Sequence, residues 1–242
     1  MKTLANSLKK RDARITYRGE SPSRLDNLTD AVFGIAITLL LFNISNPNSF
    51  NDLVNLTKTF PAFLISIGFL TLIWVEHSSF SWIYSLNDKI FKLINTVFIA
   101  LVIFYVYPLR FLSLYLTSVF FKLDSSIQTE AENIPDLMIY YGFVAFALYF
   151  TLYFFYLRAL KIGKKLMLNE YEIFITRQML KRMVIMFSVP LISILLVFIL
   201  RNYSIGLASF LGGMVYSLYV PSIMIWKKRM MKVESNFSIE AT

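Results

Sequence analysis

A chain of 242 residues that is 57% hydrophobic and only 16% charged, with a mean hydropathy of +0.60, is too apolar for a soluble globular domain and reads as a polytopic membrane protein. Its net charge of +9 would suggest nucleic acid in a soluble protein. Here the cations cluster between apolar runs, where topology and anionic lipid account for them, so a lipid bilayer is the expected partner and nucleic acid is not. The absence of cysteine removes disulfides, thiol catalysis and thiolate metal sites together.

Residues 1–23 read as a basic, polar tail. No cleavable signal peptide is expected, because the first apolar segment starts only after about thirty polar residues. That segment, RLDNLTDAVFGIAITLLLFNIS from Arg24 to Ser45, is the first span. Asn46-Pro47-Asn48-Ser49 supplies turn chemistry, and 51–58 leads into span two over 60–75. Span two closes in Trp74-Val75-Glu76-His77, runs on through SSFSWIYSLN and turns near Asn87-Asp88. Span three covers 90–107. Pro108 and Arg110 mark its far interface, and 111–121 is a helix extension or an interfacial segment. An acidic loop over 122–136 precedes the aromatic span four at 137–157. A basic loop over 158–182 follows, then span five at 183–200 with Pro190 as a kink. Span six covers 203–226, where Gly206, Ala208, Ser209, Gly212 and Gly213 offer a small-residue face for close helix contact. The predicted architecture is all-α: a basic tail at 1–23, a six-helix transmembrane domain at 24–226 and a basic tail at 227–242.

With six spans, twenty Lys and Arg fall on the side of the two termini, against Lys58, Lys122 and Arg201 opposite. The positive-inside rule then places both termini in the cytoplasm and the acidic loop outside.

The first span carries the chain's tightest polar cluster at the edge of an apolar run. Asp30 sits where headgroups give way to hydrocarbon, so its carboxylate needs a partner. Arg24, six residues back, is beyond the three- or four-residue spacing that shares a helix face. Ala31, Ile35, Thr38, Phe42 and Ser45 recur at steps of four and three and form one stripe. From pattern alone that stripe is either a helix-packing seam or the wall of a passage. His77, the only histidine, is likewise either a packing residue or part of a polar network.

Arg24-x-x-x-Leu28-Thr29-Asp30 followed by AVFGIAITLLLF resembles the signature of the transmembrane protein 175 potassium-channel family, an Arg-x-x-x-Phe-Ser-Asp motif with an Ala-Ile-Thr-rich run behind it. Trp74, His77, Asn95 and the six-helix plan extend the likeness. Leu28 and Thr29 replace the family's Phe and Ser, keeping an apolar plug and a hydroxyl. The resemblance implies a bacterial, single-repeat cation channel of the inner membrane, assembled as a homotetramer with the first helix of each subunit lining the central pore. It has no Thr-Val-Gly-Tyr-Gly filter and no enzymatic activity. No cofactor or metal is expected, only permeant potassium and other monovalent cations.

Carried over position by position, the resemblance makes Ile35 the constriction, Thr38 a hydroxyl ring, and Leu39 and Phe42 apolar rings further out. Leu39 lies off the stripe. Such rings gate by dewetting, and without a carbonyl filter the preference for potassium over sodium should be modest. Arg24, Asp30, His77 and Asn95 are expected to form one hydrogen-bonded network with Trp74 as its apolar wall, Leu28 and Thr29 belonging to the motif. A histidine there would make gating pH-sensitive. The alternative is a secondary cation or proton-coupled transporter, which would want a midplane carboxylate and paired broken helices that the sequence does not display.

Overall fold

The computed structural model describes residues 12–42, 48–121 and 130–239; Ser45, Asn46, Pro47 and the loop over 122–129 lie outside them. The described residues form helices and no strand. They are α1 (Arg24–Phe42), α2 (Phe50–Lys58), α3 (Phe60–Tyr84), α4 (Lys89–Phe121), α5 (Ile134–Lys161), α6 (Glu170–Leu200), α7 (Ile205–Met214) and α8 (Tyr219–Ile239). By length and composition, five stretches among them suffice to cross a bilayer: Phe60–Tyr84, Lys89–Tyr115, Ile134–Lys161, Glu170–Leu200 and Ile205–Glu234.

Several helices run past the bounds read from the sequence. Span two does not close at His77. It continues to Tyr84 and stops at Ser85, whose left-handed φ of 42° ends the helix. This leaves His77 two turns inside α3 rather than at its end. Span three and the segment after it are one 33-residue helix that passes through Pro108, so the segment is the helix extension. Arg110 turns inward from it, donating from Nη1 to the Leu40 carbonyl at 3.3 Å. Much of the basic loop before span five is helix. Asn169 accepts from the Glu172 N–H and Glu172 reaches back to the Asn169 N–H, a capping box that starts α6 thirteen residues early. Span six is interrupted by a 3₁₀ turn at Val215–Leu218. Pro221 lies in the first turn of α8, and its ring opposes the Ser217 carbonyl, which prevents an unbroken α-helix there.

The core lies between α1, α3, α4 and α5, with Phe33, Phe80, Phe91, Phe98, Val102, Leu148 and Phe155 buried. The α5–α6 pair forms the second layer, and α7 packs on α6 through the small-residue face. Within that face, Ala208 and Gly212, four residues apart, point inward. The Ser193 hydroxyl donates to the Gly212 carbonyl at 2.8 Å. A Cβ on Gly212 would stand 2.3 Å from Val197 Cγ2, whereas one on Gly213 would meet only Met138 Cε at 3.7 Å. Val197 is β-branched and stiff in a helix, so it cannot swing away. Gly212→Val is therefore expected to cost ~1–3 kcal/mol by overpacking and Gly213→Ala to be near neutral, read as thermal midpoints of the purified protein.

Residues 12–23, read from the sequence as part of a tail, pack onto the helix ends. The segment closes with a capping box at α1. Ser23 N–H and Oγ–H donate to Asp26 Oδ2 at 3.0 and 2.8 Å, and the Asp26 N–H donates to Ser23 Oγ at 3.2 Å. Asp26 is thus a buried cap.

Candidate functional site on the first helix

Helix α1 has two unlike faces. Val32, Phe33, Ala36 and Leu40 are buried against the core, while Ala31, Gly34, Ile35 and Thr38 are exposed on the opposite side. The exposed set follows the stripe read from the sequence, and Ile35 on it is 56% exposed and Leu28 54%. An isoleucine so placed, in a helix this apolar, faces either lipid or another copy of the chain. Leu39 is half-buried and packs against the core, off the stripe. The Phe42 side chain lies outside the described residues.

Thr38 donates its hydroxyl proton to the Gly34 carbonyl at 2.9 Å. This back-bond is the ordinary way a helical threonine satisfies its donor. It leaves the oxygen's lone pairs directed away from the helix, on the exposed face, where they present an acceptor to a cation.

Behind this face a short polar chain crosses three helices. The imidazole Nε2 of His77 on α3 lies 3.2 Å from Asn95 Oδ1 on α4. Asn95 Nδ2 donates to Thr29 Oγ1 on α1 at 2.8 Å, and Thr29 donates to the Leu25 carbonyl at 2.9 Å. His77 is 1% exposed, and Asn95 and Thr29 are 0%. The chain is consistent when His77 carries its proton on Nε2, so that every donor points toward the backbone of α1. The imidazole stacks on Phe98 at 5.3 Å and meets Phe155 edge-on at 5.7 Å. Its Nδ1 has no partner among the described residues.

The network expected from the sequence is therefore regrouped. Asp30 is not bonded to His77 or Asn95. Its Oδ1 accepts from Trp74 Nε1 at 2.9 Å, so Trp74 acts as a donor rather than an apolar wall. Arg24 is exposed and makes no hydrogen bond or ion pair among the described residues. Thr29, expected only as a motif residue, is the link between the buried chain and the helix. The physical reason is rotation: Thr29 and Phe33 lie on the inward face of α1, while Asp30, one step of 100° away, points to the groove between α1 and α3. That groove is lined by Asp30, Phe33, Gly34, Ile37, Leu70, Thr71 and Trp74.

Two ion pairs tie neighbouring elements together. Arg182 on α6 pairs with Glu76 on α3, and Arg158 on α5 pairs with Asp88 just before α4 at 2.7 Å. Burial pushes the Asp88 carboxyl up, but the Arg158 guanidinium and the Phe91 N–H outweigh it and hold it below the usual range. No group of three or more His, Asp or Glu that could hold a metal occurs among the described residues.

Residues 24–105 match the family described as "Endosomal/lysosomal potassium channel TMEM175", the stretch that carries α1, the His77–Asn95 pair and most of the core. A potassium channel of Marivirga tractuosa is 33% identical over 219 residues, covering 87% of this chain and 88% of the relative. A crystal structure of a variant of the potassium channel MtTMEM175, in complex with a nanobody–MBP fusion, superimposes with a TM-score of 0.83 at 31% identity, over 92% of this chain and 99% of that one. A TMEM175 homolog from Chamaesiphon minutus, described as a lysosomal potassium-selective channel, shares the fold with a TM-score of 0.52 at 22% identity, over 81% of this chain and 96% of that one. The match to the Marivirga channel over most of both chains, together with the signature helix and its buried polar chain, shows that this chain belongs to the TMEM175 family of potassium channels.

Proposed function

We propose that the chain forms a homotetrameric, potassium-preferring cation channel of a bacterial inner membrane, with six spans per subunit and both termini in the cytoplasm. Its ions pass along an axis lined by the exposed stripe of α1. The observation that carries this reading is that stripe: Ala31, Ile35 and Thr38 are exposed in the subunit while Thr29, Val32, Phe33, Ala36 and Leu40 on the other side of the helix are buried. Four such stripes around an axis would place a ring of Ile35 side chains and, one turn further out, a ring of Thr38 hydroxyls. The Ile35 ring gates by dewetting, because a narrow apolar constriction is costly for a hydrated ion to enter. The Thr38 oxygens, with their protons directed to Gly34, offer lone pairs to a passing cation. Four hydroxyls replace only part of a hydration shell, so the preference for potassium over sodium is modest.

Under this reading the buried chain from His77 through Asn95 to Thr29, and the Trp74–Asp30 bond, position the cytoplasmic half of α1. The proposal is tested by ion flux into liposomes containing the purified protein, with potassium and sodium gradients compared. Potassium-favouring flux that neither saturates nor needs a counter-substrate is the expected result. Flux no greater than in empty liposomes, from a protein confirmed to be tetrameric, would leave the family likeness as one of fold.

A further inference from the structure

The segment over residues 12–23 is pinned at three places before it enters α1. The first is Glu172 near the start of α6, whose side chain is 1% exposed. Its Oε1 accepts from the Thr16 N–H at 2.8 Å and from Arg18 Nη1 at 2.9 Å. Its Oε2 accepts from Arg18 Nη2 at 3.0 Å and from the Asn169 N–H at 2.9 Å. Four hydrogen bonds, two of them from one bidentate guanidinium, saturate the carboxylate. Arg18 Nε also donates to the Leu166 carbonyl at 3.0 Å.

The second place is the end of α3. The Arg18 and Gly19 N–H groups donate to the Ile83 and Trp82 carbonyls at 3.3 and 3.0 Å. Backbone meets backbone so closely here that a Cβ on Gly19 would stand 2.3 Å from the Ser81 carbonyl oxygen. The third is α8. Arg14 Nη2 reaches Glu234 Oε1 at 2.9 Å and Asp12 Oδ2 at 2.7 Å, and its guanidinium lies 3.9 Å above the Tyr171 ring. The Tyr171 hydroxyl is 2.6 Å from Glu234 Oε1 and 3.1 Å from Asp12 Oδ2.

These limbs differ in strength. The Glu172 limb is buried and fully paired. At the α8 limb, two carboxylates share one guanidinium and one hydroxyl proton, with side chains a quarter to a third exposed. Solvent weakens such pairs, which makes this limb the one that releases first. The hydrogen bond from Arg14, against the opposing effect of burial, holds the Asp12 carboxyl at about 2, so Asp12 stays ionised beside Arg14 at neutral pH.

We infer that residues 12–23 are a latch through which the cytoplasmic end of α8 restrains α1 in its resting position, with Glu172 as the positioning residue at its hub and Glu234 as its releasable contact. The latch rests on the reading of α1 as the pore helix. Only four residues, 20–23, separate the pinned Gly19 from Arg24 at the start of α1, a short tether between the anchor and the helix. The restraint would act on the same half of α1 that Thr29 and Asn95 hold from inside.

The test is potassium flux from liposomes holding equal amounts of wild type, Glu234→Lys, Glu234→Gln and Glu172→Gln protein, each checked for assembly by size-exclusion chromatography. Glu234→Lys turns an attraction to Arg14 into a repulsion and is expected to raise flux about threefold, the scale of change in an opening equilibrium that an exposed ion pair can supply. Glu234→Gln, which keeps an acceptor but loses the charge, is expected to fall between it and wild type. The potassium-to-sodium ratio should not change, because no pore-lining residue is altered. Loss of fold lowers flux per protein, so a rise cannot be mimicked by destabilisation. Flux in assembled Glu234→Lys that equals or falls below wild type overturns the latch, whatever becomes of Glu172→Gln. Wild-type liposomes without flux overturn the channel reading instead, and the latch with it.

Discussion

Potassium flux through Ile35→Asn protein is expected to exceed that of wild type by about tenfold, which corresponds to lowering the barrier at the constriction by only ~1.4 kcal/mol. The expectation follows from the exposed position of Ile35 on α1 and from the physics of a narrow apolar ring, which excludes water and hence hydrated ions until it widens. An asparagine of similar length brings amide donors and acceptors into the ring and lets water remain. Because Ile35 touches little within its own subunit, the substitution should leave the thermal midpoint nearly unchanged, and flux and stability can be read separately. Unaltered flux from an assembled Ile35→Asn protein would move the gate along the helix. Leu39 is the weaker candidate for that place, since it is half-buried against the core.

The largest loss of stability is expected at His77. Truncating this fully buried ring to alanine should cost ~3–5 kcal/mol, as for other buried aromatic side chains, because Phe33, Phe98 and Phe155 all lose a neighbour. His77→Phe keeps the ring volume and the stack on Phe98 but leaves Asn95 Oδ1 without its partner, a penalty of ~1–3 kcal/mol. Thermal unfolding of the purified proteins should therefore rank wild type above His77→Phe and His77→Phe above His77→Ala. Pairing His77→Phe with Asn95→Leu removes both ends of the bond, and the double variant should lose less than the two single losses together, by ~0.5–3 kcal/mol. Strict additivity would mean that the ring contributes by packing alone. If protonation of His77 controls gating, potassium flux changes between pH 5 and 8 in wild type and not in His77→Phe.

Composition alone placed the chain in a bilayer, and the apolar runs gave the order of the spans. Helix ends are less legible. Arg177, Lys181 and Arg182 make the stretch before span five look like a loop, although Asn169-x-x-Glu172 is a capping-box pattern present in the sequence. Ser23-x-x-Asp26 is the same device at α1. Glu76 and His77 interrupt the apolar run of span two, yet the helix passes through them to Tyr84. Their partners, Arg182 and Asn95, are what allow α3 to continue.

What the sequence determines by itself is whatever depends on local geometry. The 100° turn per residue is fixed for any α-helix, so the stripe of Ala31, Ile35 and Thr38 can be read from spacing, and the family signature lies within seven consecutive residues. What the tertiary structure decides is which polar groups meet. His77 and Asn95 are 18 residues apart in the chain, Asp30 and Trp74 are 44, Thr29 and Asn95 are 66, and Arg14 and Glu234 are 220. No spacing rule reaches across those separations. Thr29 rather than Asp30 joins the buried chain because the rotation of α1 against α3 and α4 is set by how Phe33, Ala36 and Leu40 fit the core. A hydrogen bond forms only where that packing brings a donor and an acceptor within about 3 Å of each other.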